Sequence, residues 1–122
     1  MKNKIFKVHH GTYPYDILVC IGAGHKEIVS CLKRHGITLS EEETERLWME
    51  GVGRTLILSG GQTILRVDTK GKANIHATLA HEIFHCVEFL FDRVGIKHDP
   101  EISGEVFAYQ IGYITKQIYS NL

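Results

Sequence analysis

Residues Leu79–Phe89, LAHEIFHCVEF, decide the fold, because they read at once as a His-Glu-x-x-His pattern and as one side of an amphipathic helix. At about 100° per residue, Leu79, Ile83, Val87, Leu90 and Val94 fall on one side, broadened by Ala80, Phe84 and Phe91. That side is the expected core. His81 and His85 lie opposite, about 40° apart, with Glu82 some 100° round from His81. Both imidazoles can point at one metal ion, and Glu82 stands beside it to take a proton from water that the ion holds. The plainer alternative is a solvated face on which His81, His85, Glu88 and Asp92 pair at i, i+3 and i+4 spacings. With eight His in 122 residues, the pattern needs structural context.

Working outward toward the N-terminus, "GRTLILSGGQTILRVD" carries two β-rich runs, Thr55 to Leu58 and Thr63 to Val67, joined through Ser59, Gly60, Gly61 and Gln62. This is a hairpin signal that leads into the motif. If Thr63 to Val67 were a sheet edge bordering the site, an extended peptide could add to it. Before the hairpin, Ser40 with Glu43 three residues on has capping-box spacing and opens a helix of about three turns in "TLSEEETERLWME". Earlier still, "YDILVCIGAG" from Tyr15 reads as a strand running into the helix "HKEIVSCLKRHGI", which Gly36 ends. Ile5 to Val8 is a further candidate strand. The glycines of "IGAGHKE" lack the spacing of either nucleotide fingerprint and read as a βα turn. His9, His10, His25 and His35 have no ligand spacing to the motif, and surface or capping roles are their default.

Toward the C-terminus, Asn74 and Gly95 are placed to cap one long motif helix. Asp99 and Pro100 then open a final helix to near Tyr119. A catalytic zinc site needs a third protein ligand, and Glu88, Asp92, His98, Asp99, Glu101 and Glu105 are the downstream candidates. Glu88 and Asp92 climb the same helix away from the two His, so Glu88 fits better as an acceptor for an imidazole N–H. Glu105 lies on the final helix, away from the apolar side formed by Phe107, Ile111, Ile114 and Ile118. It shares its side with Tyr109, Ala108 and Gly112, and small residues let helices approach closely. Glu105 is therefore the best-placed third ligand. His76 and Cys86 point away from the His pair and are assigned to packing or to the first turn.

"HEIFH", nineteen intervening residues and "EVFAY" together resemble the gluzincin zinc metallopeptidases over about Ile75 to Tyr113. The whole chain further resembles short metallopeptidase-like proteins of bacteriophages and bacterial mobile elements, in which a "GGQT" hairpin precedes "LAHEIFH". The resemblance implies a zinc peptidase with His81, His85 and Glu105 as metal ligands and Glu82 as general base. It also implies a Tyr or His that stabilises the oxyanion. Tyr109, Tyr113 and His98 are the candidates, and no motif chooses among them. The expected fold is α+β and zincin-like: a small mixed or antiparallel sheet packed against the motif helix and its C-terminal partner, in a single domain over 1–122.

Bulk composition bounds the partners. Lys and Arg balance Asp and Glu at 14 against 14 and are spread along the chain, so no basic stripe recommends a nucleic acid or an anionic membrane. Cys20, Cys31 and Cys86 form no CxxC pair and are odd in number, which suits a reducing compartment. The first twenty residues are basic, but His9, His10 and Asp16 interrupt their apolar run. A cytoplasmic protein acting on a peptide or protein substrate is the expectation, with a non-catalytic zinc-binding or interaction module as its rival.

Overall fold

The computed structural model describes residues 3–49, 51–71 and 73–122. It is a mixed α+β fold with a four-stranded sheet: β1 (Lys4–His9), β2 (Asp16–Ile21), β3 (Gly53–Ile57) and β4 (Thr63–Val67). The helices are α1 (His25–Arg34), α2 (Glu41–Leu47), α3 (Ile75–Val94) and α4 (Gly104–Ser120). Strand order is β1-β2-β4-β3, with β2 and β4 parallel and the other two pairs antiparallel. Among the described residues no helix is long and apolar enough to cross a membrane.

Alternation along β2 explains the layering. Ile17, Val19 and Ile21 join Leu65, Val67, Leu79, Ile83, Ile114 and Ile118 in a core between the sheet and α3 and α4. Leu18 and Cys20 point the other way, to Ile28, Leu32, Leu47, Leu56 and Ile64, under α1 and α2. A strand covered on both faces must be apolar at successive positions, and "ILVCI" is. Burying each large aliphatic side chain contributes about 1.5–3 kcal/mol, so β2 is the spine of the fold. A third cluster, Val87, Leu90, Phe91 and Phe107, ties the far end of α3 to α4.

β4 is an inner strand between β2 and β3, and all five of its residues are buried. The edge beside α3 is β3, because the chain leaving β2 crosses over and returns to it through β4 rather than through the first strand of the hairpin. Two helices are shorter than their sequence signals. α2 ends at Leu47 with Trp48 as its C-cap; Trp48 Nε1 donates to His25 Nδ1 at 3.0 Å, and the Arg66 guanidinium lies over its ring. Glu50, at the end of that expected helix, lies outside the described residues. α4 starts at Gly104 rather than Pro100, because Asp99 Oδ1 accepts from the N–H groups of Glu101 and Ile102 and holds a turn.

α3 begins where Asn74 accepts from Ala77 N–H and ends at Gly95 in the left-handed region, φ 81°. Its buried arc is Leu79, Glu82, Ile83, Cys86, Val87, Leu90 and Phe91, whereas Ala80, Phe84 and Val94 are exposed. The arc is rotated toward Glu82 and Cys86 relative to the expectation, because α3 packs on β3 and β4 as well as on α4. Burial pushes the Cys86 thiol up to about 12, which leaves it a packing group.

Candidate functional site

α3 sets the motif against β3, the strand at the end of the sheet. Side chains at alternate strand positions share a face, and on β3 that face carries Gly53 and Thr55 toward Glu82. The Thr55 hydroxyl donates to Glu82 Oε1 at 2.8 Å and also lies 3.2 Å from the Glu82 carbonyl oxygen. A Cβ at Gly53 would stand 3.0 Å from Glu82 Oε2, 3.1 Å from its Cγ and 2.7 Å from Thr78 Cγ2. Gly53 therefore makes room for the carboxylate, and Thr55 fixes one of its oxygens. The other oxygen, Oε2, lies 4.0 Å from His81 Nε2.

The two imidazoles converge. His81 Nε2 and His85 Nε2 are 3.2 Å apart, with the rings edge to face at 76°. His85 Nδ1 lies 2.8 Å from Glu88 Oε1. With Nδ1–H donating to that carboxylate, the Nε2 lone pair is the one left facing His81. Two nitrogens each about 2.05 Å from a tetrahedral ion stand about 3.3 Å apart, so the observed separation fits two ligands of one ion. Gly53, Arg54, Thr55, His81, Glu82, His85, Glu88 and Phe89 line the depression, of about 410 Å³, that holds this cluster.

Glu105 and Tyr109 are not brought to that depression. Phe107 packs on Phe91 at 4.7 Å between ring centroids, and Tyr119 stacks on His76 at 5.5 Å, which fixes α3 and α4 as antiparallel neighbours. In that register Glu105, exposed in the first turn of α4, lies level with the Asp92 region, roughly 12 Å along the axis from the His pair at 1.5 Å per residue. The cause is length: α3 continues to Val94, more than two turns past His85, before the chain reverses. Among the described residues no three His, Cys, Asp or Glu side chains gather as a metal centre. Tyr109 is 76 % exposed on α4 and Tyr113 packs beside Gly11. His98 lies with its ring on Phe107 in an adjoining groove.

That groove is lined by Glu88, Phe89, Asp92, Gly95, Ile96, Lys97, His98 and Phe107. It shares Glu88 and Phe89 with the depression over the motif. A third hollow, lined by Val52, Gly53, Ala77, Thr78, His81 and Glu82, adjoins the other side. The three hollows follow one another along α3, neighbours sharing lining residues, with the His pair at the middle one. From Ala77 to Asp92 they run about 22 Å, the length of about six or seven extended residues.

Thr55 and Gly53 are the site residues that sequence reasoning missed. The sequence signal for the strand starts at Thr55 and leaves Gly53 outside it, and the face of β3 that meets α3 follows only from the sheet order. Comparison with protein-family models, curated proteins and solved structures finds no match to this chain.

Proposed function

We propose that the chain is a metal-dependent peptidase, in which His81 and His85 hold a zinc ion and Glu82 is the general base. The observation that carries this reading is the 3.2 Å approach of two Nε2 atoms beside a buried carboxylate that has one oxygen uncommitted. When bound, the ion supplies Lewis-acid polarisation of a carbonyl and makes water more acidic. The chain's own contribution is positional. Glu82 Oε2 takes the proton of the attacking water and returns it to the leaving amine, while Thr55 holds Oε1. Glu88 keeps the His85 ring turned so that Nε2 faces the ion.

Peptide is the favoured substrate because β3 is a sheet edge along the cleft, and its main-chain groups suit an added strand. The reading is gluzincin-like in its motif and departs from that pattern at Glu105. The free, buried Cys20, Cys31 and Cys86 go with a reducing, cytoplasmic setting. A non-catalytic zinc-binding module is the second reading, favoured by the lack of a third converging ligand among the described residues.

Hydrolysis of a peptide library by zinc-supplemented protein and by Glu82→Gln tests the proposal. Cleavage by the parent and a loss on the order of 10²–10⁴-fold in the variant are expected. A parent that binds zinc and cleaves nothing would favour the module.

A further inference from the structure

The groove between the end of α3 and the start of α4 is not used by the reaction proposed above. Its floor is apolar, made by Phe89, Ile96 and Phe107, and its volume is about 470 Å³. Two carboxylates stand in its lining, Glu88 and Asp92, against one ammonium, Lys97. Asp92 is exposed and forms no ion pair among the described residues, whereas Glu88 holds His85 through Oε1. The groove shares Glu88 and Phe89 with the motif depression. A side chain entering it from an extended chain on β3 would therefore meet apolar surface along its length and negative charge at the rim.

We propose that this groove is a subsite for a lysine or arginine side chain of the polypeptide, placed beyond the His pair toward Asp92. Long basic side chains have the matching chemistry: an apolar stem lies along aromatic and aliphatic surface while the cationic head meets carboxylate. An acidic side chain would face two like charges, and a short one would leave the apolar floor uncovered. The inference rests on the reading of the adjoining cleft as a peptide site, but not on hydrolysis.

The test is binding, measured on the Glu82→Gln protein so that cleavage plays no part. End-blocked, fluorescently labelled seven-residue peptides, identical except for a central Arg, norleucine or Glu, are titrated by anisotropy. The Arg peptide is expected to bind at least tenfold more tightly than the Glu peptide and several-fold more tightly than the norleucine peptide. Asp92→Lys, an exposed change, is expected to abolish the preference for the Arg peptide over the norleucine peptide. Equal affinities for the three peptides, no measurable binding of any, or an Arg preference that survives Asp92→Lys would each overturn the subsite. An Arg preference in a protein whose zinc-loaded parent leaves the peptide intact would keep the subsite and remove the peptidase reading.

Discussion

Glu43 on α2 and Glu82 on α3 are both buried carboxylates, 9 % and 5 % exposed, and their surroundings give them opposite characters. Glu43 spends both oxygens on backbone: Oε1 accepts from Ser40 N–H at 3.0 Å and Oε2 from Ser59 N–H at 2.8 Å. Those two backbone bonds, from Ser40 first and then Ser59, hold its carboxyl below the ordinary value. Glu82 spends one oxygen on a side-chain hydroxyl and turns the other toward His81 and the cleft. A buried acid whose acceptors are all used by backbone is a brace for the fold. One left half-used at a cleft, beside two converging imidazoles, is what the proposed proton transfer requires.

Isosteric amides separate the two roles most sharply. Glu82→Gln keeps an acceptor for Thr55 and is expected to lower peptide hydrolysis by on the order of 10²–10⁴-fold, with a melting temperature close to the parent's. A lowered melting temperature, with turnover retained, would make Glu82 a brace like Glu43.

His10 extends the comparison to a second titratable brace. It is 2 % exposed, and the Gln110 amide lies 3.2 Å from both its Nδ1 and its carbonyl oxygen. Burial chiefly, with the Arg93 charge adding and Asp16 opposing, lowers its pKa to about 4. The unfolded chain then binds a proton near pH 6.5 that the folded chain refuses until near pH 4. Stability is fully present above pH 6.5 and falls as pH drops toward 4, by on the order of 1–3 kcal/mol. Denaturant titrations across that window, with His10→Gln as the control that flattens the slope, check it. An unchanged slope in the variant would remove His10 from the account.

Thr55→Val tests the hydroxyl that distinguishes the Glu82 site. It is expected to lower kcat by about tenfold, the order of one hydrogen bond to a charged group, and to leave KM nearly unchanged. Thr55→Ser is expected to restore kcat. A kcat that stays low in Thr55→Ser would mean that Thr55 only packs. The smallest effect belongs to Glu43→Gln, which cannot accept from both N–H groups. About 1 kcal/mol of stability, or roughly 4 °C in melting temperature, should be lost with hydrolysis unchanged.

Local signals reached most of the elements. The Asn74 cap, the left-handed Gly95, the Ser40–Glu43 box and the Ser59–Gln62 turn each depend on residues a few positions apart, and each marks its element. The spacing of His81, Glu82, His85 and Glu88 likewise lies within two helical turns, and the structure brings these four side chains together. What depends on tertiary arrangement was not legible. The sheet order decides that β3 rather than β4 is the edge, and hence that Gly53 and Thr55 meet Glu82. The length of α3 decides that Glu105 lies beside its far end rather than at the His pair. His10 had no helical or strand period to betray its burial, because the β1–β2 connection and α4 enclose it together.

The most direct test of the account is zinc content, measured on protein purified without a His tag, for the parent, His81→Ala and Glu105→Ala side by side. One equivalent in the parent and in Glu105→Ala, with little in His81→Ala, is the result expected of an ion held at the converging imidazoles of α3. Zinc lost on Glu105→Ala, or retained on His81→Ala, would contradict it.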